Sequence, residues 1–186
     1  MPSQVRWNNQ AQAVKTPSAY LDNCINPSGV VRGQLPPSEA AAFSELQRLG
    51  DDGKVELYTS HVVKEEIDNV PAPHRQEFET AYELYANVPE IEEQFRMPKM
   101  LTSLRSGPTS GPVVHDELLG KLWPILRGEM DRRHVFQAAK NGLDYFVTRD
   151  CKTILRYASE VHAVAGIVAL LPSQLVAKLE AGPSSE

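Results

Sequence analysis

The chain of 186 residues has little of what would mark several protein classes. Its two cysteines, Cys24 and Cys151, are too few for a disulfide framework. Its most apolar stretch, 161–171, is interrupted by His162 and Gly166 and is too short to span a bilayer, so we expect neither a transmembrane helix nor a membrane partner. No apolar segment follows the first basic residue, and we therefore expect a cytoplasmic protein.

The remaining composition is that of a single folded domain. Hydrophobic residues make up 41% and charged residues 23%, values that disfavour a disordered or coiled-coil chain. The formal net charge of −5 argues against a polyanionic partner. The segment 127–156 is different, because it carries seven basic and four acidic side chains. Such a segment suits a metal-dependent enzyme acting on a polyanion, although a solvated helix face is the commoner origin.

Local patterns predict an α/β fold. Strands are predicted at 19–21, 55–58, 145–148 and 167–171. Helices are predicted at 36–50, 61–69, 114–123, 129–141 and 152–158, with a closing helix from Pro172. Strands that alternate with helices indicate a three-layer α/β/α arrangement around a mostly parallel central sheet.

The domain boundaries follow from changes in composition. Residues 1–16 are polar and aperiodic, which predicts a flexible extension. We expect the domain to cover 17–182 and a flexible tail to follow at 183–186. Within the domain, 71–112 predicts a helical and loop insertion, with a polar helix at 75–86 and a mobile, proline-punctuated loop at 97–112.

Four acidic residues stand where a parallel sheet places its ligands, beyond the carboxyl ends of the strands. Asp22 follows the first strand, and Asp150 follows the third. Glu66 lies in the helix that Ser60 is expected to cap, and Asp131 lies near the start of the helix that leads into the third strand. A cluster of carboxylates repels itself and so implies cations, and hard oxygen ligands suit Mg²⁺ or Mn²⁺.

Three of these acids also have a purely structural alternative. Asp22 could cap a loop, Asp131 could be a first-turn helix charge, and Asp150 could be an N-cap. The two cysteines lie next to motif acids, where they are interpreted as small buried apolar residues rather than as soft ligands.

The order and spacing of these motifs resemble the PIN-domain nucleases, which include the VapC-type toxins. The strongest match is 131–138, Asp-Arg-Arg-His-Val-Phe-Gln-Ala, followed by 142–150, which ends in Val-Thr-Arg-Asp. Tyr-Leu-Asp-Asn at 20–23 and Ser-His-Val-Val-Lys-Glu-Glu-Ile at 60–67 are similar to the family's first two acidic motifs, and 168–173 is similar to its last strand. Two features differ: Asn23 is adjacent to Asp22, with Cys24 in the family's usual Asn position, and Glu65 competes with Glu66.

The resemblance implies a PIN-like fold over roughly 19–179. It also implies a ribonuclease, and an endonuclease is expected rather than an exonuclease. The enzyme would use Mg²⁺ or Mn²⁺ held by Asp22, Glu66, Asp131 and Asp150. Asn23, Ser60 and Thr148 would support those ligands, and His134 would either pack beside them or support one of them. Arg132, Arg133, Arg149 and Lys152 are the candidate contacts to RNA phosphates. An antitoxin-like protein and a homodimer are the further partners that the family implies.

Two other functions remain open from the sequence. One is a PIN-like module without catalysis that engages an RNA-processing or protein partner through 71–112. The other is an Asp-phosphorylated α/β domain with Asp22 as acceptor, for which the chain lacks an evident second acidic pair and a suitably placed Lys.

Overall fold

Four parallel strands form the centre of the protein in a computed structural model, which describes residues 15–25, 36–73, 88–91 and 116–182. The strands are β1 (Ser18–Leu21), β2 (Glu56–Tyr58), β3 (Tyr145–Val147) and β4 (Val168–Leu170). Their order in the sheet is β2-β1-β3-β4, and each neighbouring pair is parallel. The predicted α/β fold with a mostly parallel sheet is therefore confirmed.

Helices separate the strands along the chain. They are α1 (Pro37–Asp51), α2 (His61–Asp68), α3 (Glu117–Leu122), α4 (Glu129–Lys140), α5 (Ala158–Ala165) and α6 (Pro172–Glu180), with 3₁₀ turns at Asn23–Ile25 and Leu155–Tyr157. In place of the helix expected at 152–158, the chain forms a turn and then the 3₁₀ turn at Leu155–Tyr157, and α5, which begins at Ala158, was not predicted. The helix expected at 75–86 and the loop expected at 97–112 lie outside the described residues.

Residues that alternate along the strands supply two separate cores. Tyr20 and Phe146 face one side, where their rings stack with centroids 5.1 Å apart and pack against buried residues of α3, α4 and α5. Ala19, Leu21 and Val147 face the other side, where they meet apolar residues of α1 and α6. Strands buried on both faces are what a parallel sheet between two helical layers requires.

The strand order defines a crevice at the carboxyl edge of the sheet. From β1 the chain moves to β2 on one side, and from β3 it moves to β4 on the other side. Open α/β sheets bind ligands where the connections diverge in this way. Asp22 stands at this point, because its backbone N–H donates to the carbonyl of Val147 at 3.0 Å.

No helix within the described ranges has the length and apolar character needed to cross a bilayer.

Candidate functional site

The four predicted acids, Asp22, Glu66, Asp131 and Asp150, all line one cavity of about 420 Å³ at the carboxyl edge of the sheet. The rest of the wall comes from Asn23, Cys24, Asn69, Val70 and Met130. A larger cavity, of about 590 Å³, lies beside β2 and has none of these four acids in its lining. The smaller cavity is therefore the one in which the four predicted acids come together.

Asp22 is fixed by hydrogen bonds to one of its two carboxylate oxygens. Oδ2 accepts from the hydroxyl of Thr148 at 2.6 Å and from the thiol of Cys24 at 3.0 Å. The Thr148 oxygen also accepts the backbone N–H of Asp150 at 3.0 Å, so a single hydroxyl ties two acids together. In the described part of the chain, Oδ1 of Asp22 receives no hydrogen bond and remains available to a ligand.

Cys24 is a polar member of this cluster, although it was expected to be a small buried apolar residue. The residue is exposed, yet its sulfur accepts the backbone N–H of Arg149 at 2.9 Å. The surrounding protein and the Asp22 carboxylate raise the pKa of the thiol. Cys24 is therefore a protonated donor to Asp22. Cys151 is exposed, so the expectation of burial is wrong for that residue, and Cys24 differs from the expected apolar residue because its enclosed thiol is hydrogen-bonded.

Glu66 points into the cavity, whereas its neighbour Glu65 does not line it. Oε2 of Glu66 accepts from the side-chain amide of Asn23 at 3.1 Å and lies 3.2 Å from Nε2 of His134. Glu65 pairs with Arg133, whose Nη1 is 2.6 Å from Oε2. Asn23 thus contacts a cavity acid from its position directly after Asp22.

A buried chain of polar groups supports Glu66 from inside the core. The hydroxyl of Tyr20 lies 2.6 Å from Oγ of Ser60 and 2.6 Å from Nδ1 of His134. Ser60 accepts the N–H of Val62 at 3.2 Å, as expected for a residue at the start of α2. Ser60 therefore reaches the site through Tyr20 rather than by touching an acid. The alternation in β1 predicted Tyr20 only as a core residue.

The electrostatics of His134 reflect three surrounding carboxylates. Burial acts to lower the pKa of this imidazole, but Glu66, Asp22 and Asp131 together raise it above its usual value. The ring is fully enclosed, with about 1% of its residue surface exposed. His134 thus lies beside Glu66 from within the core, which agrees with the supporting role among the two that were expected.

Asp131 reports the proximity of the other acids. Burial raises the pKa of its carboxyl group above the usual value, and the negative charges of Asp150 and Asp22 raise it further. The hydroxyl of Thr153 acts in the opposite direction. Because a neighbouring charge shifts a pKa only over a short distance, three of the four acids share one electrostatic environment.

Asp150 also has the capping role that was its structural alternative. Its Oδ1 accepts the backbone N–H groups of Lys152 and Thr153, each at 2.9 Å, and its Oδ2 accepts the Thr153 hydroxyl. The side chain therefore caps the turn after β3 while it lines the cavity. Thr153, three residues beyond Asp150, was not identified from the sequence.

Two of the predicted phosphate contacts are corrected by the structure. Arg132 is 6% exposed, and its Nη1 donates to the carbonyls of Leu126 and Arg127 at 2.6 and 2.8 Å. Its guanidinium also lies 4.1 Å from the ring centroid of Trp123. Arg133 is 9% exposed and paired with Glu65. Both guanidinium groups are thus buried and paired with other groups of the protein, and neither belongs to a solvated face.

The other two basic residues keep their predicted place beside Asp150. Lys152 is exposed and Arg149 is partly exposed. Their contact with phosphate remains a prediction.

Comparison of the chain with protein-family models, curated proteins and solved structures finds no match. The interpretation of the site therefore depends on its own residues.

The chemistry of the cavity suits a hard divalent cation, but the side chains are not gathered around one point. Carboxylate oxygens are the ligands that Mg²⁺ and Mn²⁺ prefer. Within the described ranges, no group of three or more Asp, Glu, His or Cys side chains has an arrangement that could hold a metal ion. Mutual repulsion keeps carboxylates apart. Binding would therefore require side-chain rotations that bring their oxygens onto a common ion.

Proposed function

We propose that this chain is a PIN-like ribonuclease that hydrolyses RNA phosphodiester bonds with the help of Mg²⁺ or Mn²⁺. The observation that carries this proposal is the convergence of Asp22, Glu66, Asp131 and Asp150 on one cavity at the carboxyl edge of the sheet. These acids come from four separate parts of the chain. RNA, rather than DNA, is proposed because of the motif resemblance.

The four carboxylates would hold one or two cations. Such a cation, when bound, supplies Lewis-acid stabilisation of the phosphate and lowers the pKa of water. The protein itself orients the acids: Thr148 fixes Asp22, while Asn23 and His134 contact Glu66. Orientation by neighbouring donors is how proteins tune ligands, and losing such a donor typically costs about 10–100-fold in affinity or activity.

Lys152 and Arg149 are the proposed contacts to the RNA backbone. They flank Asp150 in the chain, and Lys152 is an exposed residue. Contacts of this kind position a strand without reading its sequence. An antitoxin-like protein and a second copy of the chain are proposed partners on the same resemblance.

The test is cleavage of single-stranded RNA in Mg²⁺ or Mn²⁺, with and without EDTA. Glu66→Gln should reduce turnover by roughly 100-fold or more, because a direct ligand should matter at least as much as a residue that orients one. Glu65→Gln is the matched control, since the adjacent acid pairs with Arg133 instead of lining the cavity. Cleavage that persists in EDTA, or equal losses in the two variants, would reject the proposed mechanism.

A non-catalytic binding module is the second candidate, and one observation favours it. Both carboxylate oxygens of Asp150 already serve the turn that follows β3. This candidate predicts RNA or protein binding that neither EDTA nor Glu66→Gln changes, together with no cleavage in any divalent cation.

A further inference from the structure

Gly128, the residue that precedes α4, lies against the carboxylate of Asp131. A Cβ atom built on Gly128 would be 2.4 Å from Oδ2 of Asp131 and 2.9 Å from its Cγ. The next most crowded of the described glycines, Gly50, would place a Cβ 3.0 Å from a Leu57 methyl group, and Gly120 has nothing within 4 Å. The space that a side chain at 128 would occupy is therefore already filled by a cavity acid.

The backbone does not require a glycine at this position. Gly128 has φ −68 and ψ 129, which is an extended conformation open to any L-residue. Gly142 and Gly166, by contrast, have φ values of 66 and 71, where glycine is favoured.

Helix capping does not explain the glycine either. Gly128 is the N-cap of α4 and makes no side-chain cap hydrogen bond. Ser, Asp and Asn are better N-caps than Gly, so the start of α4 on its own would favour a polar side chain. The Asp131 carboxylate, however, occupies the space that such a side chain would need.

The other side of this carboxylate faces the acid cluster. Asp131 lines the cavity together with Asp22, Glu66 and Asp150. A side chain at 128 would displace the carboxylate from its place against Gly128. Since the displaced atoms are the end of a flexible side chain, the helix can remain folded while the carboxylate moves.

We infer that Gly128 is a positioning residue, whose missing side chain lets Asp131 direct its carboxylate into the cavity. The part of this inference that concerns cation binding rests on the proposed function. The contact itself does not.

The test is a double-mutant cycle that compares Gly128→Ser in the parent and in Asp131→Ala. Serine is a better cap than glycine, so in Asp131→Ala it should raise the urea midpoint. In the parent, the contact between the new side chain at 128 and the Asp131 carboxylate should offset that rise. The change in urea midpoint caused by Gly128→Ser should therefore differ between the parent and Asp131→Ala. Gly128→Ala repeats the cycle with the smallest side chain, in case serine prevents folding. Equal shifts in the two backgrounds would overturn the inferred contact.

Cation binding is measured on the same variants by titration with Mn²⁺ alone. Gly128→Ser should weaken Mn²⁺ affinity by about tenfold, the lower end of the effect of losing an orienting neighbour. Gly120→Ala, at a site with open space, should leave the affinity unchanged. Unchanged affinity in Gly128→Ser would overturn the positioning role. A parent that binds no Mn²⁺ would reject the proposed function, and the urea cycle would still decide the contact.

Discussion

At the scale of single residues, the site depends on side chains with two partners. Thr148 donates to Asp22 and accepts from the backbone of Asp150, and Tyr20 contacts both Ser60 and His134. A side chain with two partners fixes the distance between them as well as their orientation. Removing its oxygen therefore disturbs two groups at once.

Thr148→Val tests this double role at nearly constant volume. The substitution leaves Oδ2 of Asp22 with only the Cys24 donor and removes the acceptor of the Asp150 N–H. We expect a loss of about 1–3 kcal/mol in the free energy of unfolding, the usual cost of leaving buried polar groups unpaired. Mn²⁺ affinity should fall as well. Urea unfolding and Mn²⁺ titration measure the two effects.

Thr148→Ser is the control, because it keeps the hydroxyl and removes a methyl group. It should retain most of the Mn²⁺ affinity. Equal affinities for the serine and valine variants would show that the hydroxyl does not orient Asp22.

At the scale of elements, α4 shows what sequence reasoning reached and what it missed. The caps and period of 129–141 predicted this helix to within a residue. Asp131, which was expected near the helix start and close to the other acids, lines the cavity with them. The fate of the arginines was not predictable, because their partners come from elsewhere. Glu65, which holds Arg133, is 68 residues away along the chain.

Another charged pair joins α3 to α4. Asp116 caps α3 by accepting the N–H of Leu118 at 2.8 Å, and its Oδ2 lies 2.6 Å from Nζ of Lys140. Burial acts to raise the pKa of Asp116, but Lys140 and the N–H groups of Leu118 and Leu119 lower it below its usual value. Its ionised form therefore stabilises the fold.

The pH dependence of stability should reveal this pair. Because the folded-state pKa is lowered, the stabilisation is present above the unfolded value of about 3.9 and is lost as pH falls through the folded pKa. Asp116→Ala should cost about 1–2 kcal/mol at pH 7, with a much smaller cost near pH 2. Urea unfolding across pH measures it.

Asp116→Asn separates capping from charge, since Asn is an equally good N-cap. Asp116→Asn should therefore lose only the part of the free energy of unfolding that comes from the ion pair with Lys140. A cost for Asp116→Ala that stays constant down to pH 2 would exclude the ionised carboxylate as its source.

At the scale of the whole molecule, the parallel sheet followed from the alternation of strands and helices, but the order of the strands did not. Neighbours in this sheet are set by packing between residues that are distant in the chain, such as Tyr20 against Phe146. The prediction that the four acids lie close together required only that residues following parallel strands meet at the carboxyl edge of the sheet. The hydroxyl, thiol and amide groups that orient them needed the folded structure, because residues such as Cys24 and Thr153 carry no distinctive spacing.

The shared cavity has a cost to stability that substitution should expose. Burial raises the pKa of the Asp131 carboxyl group, and the negative charges of Asp150 and Asp22 raise it further, so that both oppose its ionisation. Asp131→Asn should therefore unfold at a higher urea concentration than the parent in EDTA at pH 7. Added Mn²⁺ should stabilise the parent more than the variant, because a ligand stabilises the state that binds it. Thermal and urea unfolding, each with and without Mn²⁺, measure both effects.

A less stable Asp131→Asn in EDTA would show that the carboxylates do not repel one another in the folded protein. Glu65→Gln again serves as the control. Glu65 pairs with the cation Arg133, so removing the charge of Glu65 should not stabilise the fold.

Strand β1 is one of the two central strands and comes first along the chain among the strands that the structure describes. Ser18, at its start, hydrogen-bonds Asp144, which is 126 residues further along the chain. A growing polypeptide on the ribosome thus exposes an apolar strand whose second neighbour does not yet exist, and unpaired strand edges invite association with other chains. The nascent chain has no complete acidic cavity until Asp150 has been added, so any ligand of that cavity can bind only after β3 has joined the sheet.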